Sequence, residues 1–468
     1  MAAKSTSLIK SRRVSRHTPS VGHQRNGGPH IRATQRSRRS WLLILTVVAL
    51  PFSYVPHELI PSGPSVSIVV LALTLASGAY YGILGQRVGP FEALVVVFAV
   101  YCSLRIGVLG PLQTRDATVD VTNLVGSVGA LISGLVLYLL ARKDELREIV
   151  LVGLRLMVGL LLAIELYQLV AGLPRLFALG YTDGFYYYTE GNDYRPFATF
   201  LSPTVFGGFL AVAGTALVLA TRGREAFLWF AVVSMGLIAT QTRAAQIAFA
   251  VAMLVGWVGS SALSRRRIVQ AGIPLVFVLV IVVLLEPGLI TRQFERLTTL
   301  TDAGYTSNSA RIQLWTGALR ASLESPVIGY PSGSFVEVLR PIIGGDALYG
   351  HAHSNYLQVL FLYGYLGLAL FLSILVVAFF AIVGTVGRAP DIARRYAVAG
   401  LGAWTAFAVD SMFETTWTSL SVASTFFLLL GLGMASVRRE DGKALDLSVS
   451  RGHGAAGEAH LHDLTTGP

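Results

Sequence analysis

The chain has 468 residues, of which 53% are hydrophobic and only 13% are charged, and its mean hydropathy is +0.61. Soluble domains carry about 25% charged residues, so this composition excludes a soluble globular domain and indicates an all-α, polytopic membrane protein that is surrounded by the lipid bilayer. The net charge of +11 does not indicate nucleic acid, because ten of the 37 Lys and Arg residues precede the first apolar run and most others lie in short loops. The single cysteine, Cys102, excludes an intrachain disulfide.

The two ends of the chain lack the apolar residues that could form a core. Residues 1–40 are rich in Arg, Ser and Gly, and we expect a disordered basic cytoplasmic tail there. This tail is too long for the n-region of a signal peptide and no small-x-small cleavage site follows the first apolar segment, so that segment should remain as a membrane anchor. Residues 438–468 are expected to form a second disordered cytoplasmic tail.

Between the tails lie twelve apolar segments that could each cross a bilayer, since a transmembrane helix needs roughly 20 apolar residues. Nine of them fall within residues 41–286 and three within residues 355–437. Their approximate bounds are 41–57, 65–86, 91–111, 122–141, 149–171, 198–220, 226–241, 244–263, 268–286, 355–386, 396–410 and 418–437.

The distribution of Lys and Arg between these segments predicts their orientation. With the N-terminus inside, the inside segments carry 26 of these residues and the outside segments carry nine. Because positive residues concentrate on the cytoplasmic side, this ratio predicts twelve spans with both termini in the cytoplasm. Two predicted outside loops, the tyrosine-rich loop 172–197 and the large extracytoplasmic loop 287–354, are longer than a connection requires, which is typical of functional loops.

Three arginines stand on the predicted outer side, against the charge bias, close to the ends of spans. Arg195 lies in DYRPFATFLSP, Arg243 in ATQTRAAQ, and Arg311 in SNSARIQLWTGAL, a stretch that predicts an amphipathic helix with an Asn or Ser cap. A guanidinium is planar, permanently charged and bidentate toward phosphate oxygens, so several of them at one membrane face would suit a diphosphate. The alternative for each arginine is an interfacial anchor or a local ion pair.

Two histidines precede the tenth span in the stretch GHAHSNYLQ, residues 350–358. A neutral imidazole at His353 could accept a proton from a hydroxyl, and a helix N-terminus would favour that neutral form. Alternatively, Ser354 or Asn355 caps the helix and both histidines are solvated loop residues. Neither His351 nor His353 has a Cys, Asp or Glu at ligand spacing, and the chain has no Asp-x-Asp motif, so we predict no metal site and no cofactor.

Three acidic residues lie within or beside predicted spans. Glu165 falls within the fifth span, where an acid is a functional candidate by default, and Arg105 is one candidate partner for an ion pair with it. Asp410 and Glu414 flank the outer end of the eleventh span, and we interpret them as helix-end residues.

Five short motifs follow one another in an order that is typical of one family. They are RPFATFLSPTVFGGFLA, ATQTRAAQ, the segment from Arg311 to Trp315, GYPSG at 329–333, and the stretch that runs from His353 through Gly364 and Gly367. Over residues 190–385 the chain thereby resembles the O-antigen ligase and O-antigen polymerase (Wzy-type) superfamily of bacterial membrane glycosyltransferases. Tyr363 departs from the pattern, since an acid is common at that place, and we give it no catalytic role.

The resemblance implies a metal-independent enzyme of the bacterial cytoplasmic (inner) membrane, which moves a glycan from undecaprenyl diphosphate to a sugar hydroxyl on the outer face. Arg243 and Arg311 match the family's diphosphate-binding arginines, and His353 matches its histidine, which is thought to activate the acceptor hydroxyl. Arg195 and Asn355 would be supporting substrate contacts. The implied partners are the lipid-linked glycan donor, a glycan acceptor, the bilayer, and flippase and chain-length regulator proteins.

The sequence leaves the acceptor open. A polymerase of exopolysaccharide or O-antigen is our first interpretation, and a ligase or a protein O-oligosaccharyltransferase on the same scaffold are alternatives. A polysaccharide or glycolipid transporter is a different class, which predicts charged residues at the bilayer midplane and inverted repeats. Only Glu165 fits that description and no repeat is evident. A scaffold protein without chemistry would leave the outer arginines and histidines unexplained.

Overall fold

The computed structural model is helical in nearly all the residues that it describes. These are residues 40–54, 66–83, 85–86, 88–109, 124–178, 195–260, 306–343 and 350–434, all within the larger of two units, residues 40–468. Helix makes up 84% of this part and strands are absent from it, which confirms the all-α fold class. The predictions for the terminal tails, for most of the tyrosine-rich loop and for the ninth span at 268–286 lie outside the described residues.

The described part contains thirteen α-helices, which we number in chain order. They are α1 (40–49), α2 (Val66–Tyr80), α3 (Pro90–Leu104), α4 (Gly129–Ala141), α5 (Arg147–Ala178), α6 (Pro203–Ala220), α7 (Gly223–Ala239), α8 (Arg243–Gly259), α9 (Thr306–Glu324), α10 (Phe335–Ile343), α11 (Asn355–Arg388), α12 (Asp391–Asp410) and α13 (Leu420–Met434). Short 3₁₀ segments lie at Leu50–Tyr54, Asp144–Leu146 and Ser332–Ser334, and π-helical turns at Arg105–Leu109 and Leu124–Val128.

Four of these helical segments are long and apolar enough to cross a membrane, namely Pro90–Gly107, Asp144–Gly172, Pro203–Ala220 and Asn355–Arg388. Five further apolar helices are shorter, namely Ser40–Ser53, Val66–Tyr80, Gly126–Ala141, Arg243–Gly259 and Leu420–Met434. These apolar helices support a membrane protein, while the number of twelve spans stays a prediction. Within the predicted large outer loop, residues 306–343 form α9 and α10, and α9 begins at Thr306, ahead of the expected Asn or Ser cap.

Helix α12 lies at the centre of the bundle, where it packs against α6, α8, α11 and α13, and α13 also packs against α4. Small residues allow these backbones to come close together. A Cβ added to Gly400 of α12 would lie 2.9 Å from the Cα of Gly433 on α13. Because lipid tails are as apolar as the helices, close packing at small residues is a main source of stability between membrane helices.

Helix α11 is interrupted at Gly364, and a turn that follows α9 fills the interruption. In an unbroken helix the carbonyl of Phe361 would accept a hydrogen bond from the amide of Tyr365. Here the Phe361 carbonyl accepts from the amide of Tyr330 at 2.8 Å, and the Tyr365 amide donates to the carbonyl of Pro326 at 2.7 Å. The interruption therefore fixes the end of α9 to the middle of α11.

Replacing Gly364 with alanine is expected to destabilise the protein. Its φ of 63° and ψ of −170° lie in a region that is essentially restricted to glycine, and the strain costs another residue about 1–3 kcal/mol. The new Cβ would also lie 2.5 Å from the backbone carbonyl oxygens of Pro326 and Val327. Thermal unfolding of the purified protein in detergent should show a lower Tm. The matched control is Gly384→Ala in the same helix, where the Cβ meets open space; equal Tm values for the two variants would contradict the role of the interruption.

Candidate functional site

The second turn of α6 lies between two elements, one next to a predicted site residue and one that ends in an acidic residue. A Cβ added to Gly207 would lie 3.0 Å from the Cβ of Thr242, the residue before α8. The neighbouring Gly208 lies against the carboxylate of Asp410, the last residue of α12. The start of α6, the start of α8 and the end of α12 therefore share one end of the bundle.

Asn355, the first residue of α11, is fully buried at the same end and holds the segment that follows α12. Its side-chain oxygen accepts hydrogen bonds from the backbone amides of Thr416 and Trp417 at 2.7 and 2.9 Å. Its side-chain nitrogen donates to the hydroxyl of Ser411 at 2.6 Å, and its backbone amide donates to the Ser411 carbonyl at 2.8 Å. The side chain of Asn355 thus bonds to the loop between α12 and α13 and shapes it.

Glu414 lies in this loop, and its carboxylate joins two of the predicted site residues. Its Oε1 accepts a hydrogen bond from Nη2 of Arg311 at 2.9 Å, and its Oε2 lies 3.3 Å from Nδ1 of His353. The Glu414 side chain is 3% exposed, whereas those of Arg311 and His353 are 23% and 14% exposed. A buried carboxylate therefore positions a guanidinium and an imidazole that both reach the surface.

Burial and neighbouring groups determine the protonation of Glu414 and His351. Burial alone would raise the pKa of Glu414, but the hydrogen bond and electrostatic interaction with His353 and the positive charge of Arg311 outweigh it and lower the pKa below its ordinary value. Glu414 is therefore ionised at neutral pH. Burial and the neighbouring His353 lower the pKa of His351 to about 4, so the His351 ring is neutral at neutral pH.

The backbone that presents the two histidines is held from both sides. The amide of Ala352 donates to the side-chain oxygen of Gln358 at 2.8 Å, and the Ala352 carbonyl accepts from the indole of Trp315 at 3.0 Å. His353 itself has a φ of 48°, in the left-handed region, which costs a residue other than glycine about 1–2 kcal/mol. Strained residues of this kind persist where their surroundings fix them, and they cluster at functional sites.

Arg195 lies near the other flank of the second turn of α6 and holds the turn that leads into α8. Its Nε donates to the carbonyl of Thr240 at 2.9 Å, and its Nη2 donates to the hydroxyl of Thr242 at 3.1 Å. Arg243 follows directly as the first residue of α8 and is partly buried. Arg195 is thus bonded to the backbone that positions Arg243.

The five predicted site residues therefore fall into two groups at the flanks of this α6 turn. The first group surrounds Glu414 and consists of His353, Arg311 and Asn355. The second group lies at the start of α8 and consists of Arg195 and Arg243.

Glu414, which we interpreted from the sequence as a helix-end residue, lies at the centre of the first group. Asp410, one turn earlier, is also buried, and its Oδ1 has no hydrogen-bond partner within the described residues. The sequence signal that could have found both is a pair of acids four residues apart in an otherwise apolar stretch.

Glu165 and Arg105, considered from the sequence as an ion pair, have different surroundings. Arg105 donates to the carbonyls of Ile328 and Gly329, at 2.7 and 3.2 Å, and so supports the turn after α9. Glu165 is buried against Gly236 of α7, and its Oε1 has no hydrogen-bond partner in the part of the chain that is described.

One set of side chains around Glu414 could hold a metal ion. The ligand atoms of His351, His353 and Glu414 all lie within 4.8 Å of one another. The sequence prediction of no metal site considered ligand spacing along the chain, and Glu414 is 61 residues away from His353.

Replacing Asn355 with alanine is expected to lower the stability of the protein. The change leaves the buried amides of Thr416 and Trp417 without acceptors, and each such group costs about 1–3 kcal/mol. Thermal unfolding in detergent, followed by size-exclusion chromatography, should show a lower Tm. The control is Ser373→Ala, which removes a hydroxyl that bonds the carbonyl of Ala369 in its own helix. A Tm for Asn355→Ala as high as that of this control would argue against the loop-shaping role.

Comparison with known proteins bears on the family. Residues 226–372 match the Wzy_C family model, described as O-antigen ligase, and no curated protein matches the chain. The matched range contains all of the predicted site residues except Arg195, and it does not reach Glu414. The match confirms the resemblance predicted from the sequence motifs. It supports assignment of the chain to the O-antigen ligase and polymerase family, and with it a glycan-transferring function of a membrane protein in polysaccharide biosynthesis.

Proposed function

We propose that this protein is a glycosyltransferase that moves a glycan from undecaprenyl diphosphate onto a sugar hydroxyl, without a metal or another cofactor. The observation that carries the proposal is the buried Glu414 carboxylate between the imidazole of His353 and the guanidinium of Arg311. Transfer from a diphosphate to a hydroxyl needs a base and a stabilised leaving group, and this arrangement places the two suitable side chains beside each other. Polymerisation of exopolysaccharide or O-antigen is our first choice of reaction.

In the proposed reaction, the acceptor oxygen attacks the anomeric carbon of the donor, and the bond from that carbon to the diphosphate oxygen breaks. The hydroxyl proton passes to Nε2 of His353, and undecaprenyl diphosphate leaves with the bonding electron pair. Glu414, beside Nδ1 of His353, favours the tautomer that carries its proton on Nδ1 and stabilises the imidazolium that forms. General base catalysis of this kind contributes typically about 10²- to 10⁴-fold.

Arg311 and Arg243 are the proposed ligands of the diphosphate. Arg311 uses Nη2 for Glu414, and since a guanidinium carries five N–H donors, others can bond phosphate oxygens. Diphosphate is a good leaving group, so stabilisation of its developing charge matters more than a protein nucleophile. In this proposal Arg195 acts by holding Arg243 in place and Asn355 acts by shaping the loop of Glu414.

We place the site on the outer face of the bacterial cytoplasmic membrane, with both chain termini in the cytoplasm. Helix α12 ends at the site, and its 20 residues give it a length of about 30 Å, the thickness of the hydrocarbon core. Its other end carries Arg394 and Arg395, and the guanidinium of Arg147 lies over the ring of Tyr396 there. Positive charge at that end supports its location in the cytoplasm.

Flippase and chain-length regulator proteins are proposed partners, since a flippase would supply the donor and a regulator would set product length. The identity of the acceptor distinguishes the alternative transfer reactions. A purified assay with a lipid-diphosphate-linked glycan and three acceptors, a glycan, a glycolipid and a peptide, would distinguish a polymerase, a ligase and a protein O-oligosaccharyltransferase. Movement of the donor between leaflets without release of undecaprenyl diphosphate would favour the transporter.

Replacing His353 with alanine is expected to lower the transfer rate about 10²- to 10⁴-fold, because the base is lost. The rate is measured as undecaprenyl diphosphate released by purified protein, alongside the yield of correctly inserted protein. The matched control is His351→Ala, which removes the neighbouring imidazole, two residues away, and should retain activity. Full activity of His353→Ala would show that this imidazole is not the base.

Lysine in place of Arg311 or Arg243 is expected to reduce transfer at least about tenfold, because lysine keeps the charge but loses the bidentate fork. The assay is the same, with donor concentration varied so that donor binding and turnover are separated. Arg320→Lys is the matched control, since Arg320 lies exposed on α9, the helix that carries Arg311. If all three lysine variants had parental kinetics, diphosphate recognition by these arginines would be refuted.

A further inference from the structure

We propose that His351, His353 and Glu414 bind a divalent cation of the zinc class, and that the bound cation inhibits the enzyme. The three side chains offer two imidazoles and a carboxylate, and their ligand atoms all lie within 4.8 Å of one another. Zinc and its transition-metal neighbours accept this mixture of nitrogen and oxygen donors, whereas Mg²⁺ and Ca²⁺ prefer oxygen ligands alone. Cation binding rests on the geometry, and inhibition rests in addition on the proposed role of His353.

The spacing of one donor pair matches tetrahedral coordination, and the third donor lies close to it. Bonds of about 2.0–2.2 Å to zinc place two ligand atoms roughly 3.3–3.6 Å apart. Nδ1 of His353 and Oε2 of Glu414 are 3.3 Å apart, and the ligand atom of His351 lies within 4.8 Å of the other two ligand atoms. Two histidines and one glutamate form a three-ligand set that leaves the fourth position of the metal for water.

The protein holds these three ligands in fixed positions. Hydrogen bonds to Trp315 and Gln358 fix the backbone between the histidines, and Glu414 is almost completely buried. Arg311 binds Oε1 of Glu414, so Oε2 faces the histidines, and hydrogen-bonded carboxylates of this kind are typical around metal ions. The positive charge of Arg311 opposes a second cation, so we expect weaker binding than at a structural zinc site.

Inhibition follows from the single proton of a neutral imidazole. A cation between Nδ1 of His353 and Oε2 of Glu414 replaces the proton that joins these atoms, and the ring then carries its proton on Nε2. A ring protonated on Nε2 cannot take the proton of the acceptor hydroxyl. The bound cation thereby removes the proposed base without making or breaking a bond in the substrate.

The first experiment measures zinc binding without any assay of activity. The parent protein is the full chain with His453, His460 and His462 replaced by alanine and without a histidine tag, so that the C-terminal histidines do not compete. Its affinity for Zn²⁺ is measured in detergent by competition with a chromophoric chelator. We expect one Zn²⁺ per chain, affinity at least about tenfold weaker in His351→Ala, and parental affinity in the control His57→Ala.

The second experiment measures transfer at controlled concentrations of free Zn²⁺. We expect Zn²⁺ to inhibit the parent and EDTA to restore its rate. His351→Ala should keep its basal rate and need at least about tenfold more Zn²⁺ for the same inhibition.

Equal zinc affinity of His351→Ala and the parent would overturn the cation site. Loss of basal transfer in EDTA would overturn the inhibitory role, because the metal would then be required. Zinc binding that depends on His351, combined with full transfer by His353→Ala, would leave the cation site standing and refute the proposed base. Failure of the cation site and failure of His353 as the base therefore give different results.

Discussion

The site depends on the burial of one ionised carboxylate. Removing a carboxylate from water is costly, and Arg311 and His353, which both reach Glu414, compensate this cost. If either partner moved away, the charge would be left buried and partly unpaired. The three groups therefore hold one another in place, although they come from α9, from the loop before α11 and from the loop after α12.

This arrangement requires that α9 be fixed, because Arg311 is the only one of the three groups that lies on a helix inside the predicted outer loop. The interruption of α11 at Gly364 supplies the attachment, since it opens two backbone groups to the turn after α9. Arg105 adds hydrogen bonds to the carbonyls of Ile328 and Gly329 in the same turn. Arg105 thus helps to hold α9, the helix that carries Arg311. This matters for the proposed reaction, because small displacements of catalytic groups lower the rate strongly.

Local sequence patterns predicted the features that local physics determines. The apolar segments that fall within the described residues form helices, SNSARIQLWTGAL forms part of α9, and the histidines lie directly before α11. Glu414 could not be assigned in this way, because its contacts join residues 61 and 103 positions away. The rule of about 20 apolar residues per span also predicts helix length poorly for α13. All fifteen residues of α13 are buried in the bundle, so contact with lipid does not set its length.

The separation between the two groups of site residues is set by the smallest side chains in their neighbourhood. Gly207 lies against Thr242, next to Arg243, and Gly208 lies against Asp410 at the root of the Glu414 loop. Side chains at these two positions would force the start of α8 and the end of α12 apart. Two arginines can share one diphosphate only at a fixed separation, because its charged oxygens are held close together by covalent bonds. The glycine pair of α6 is therefore the constraint that would allow both groups to act on one substrate.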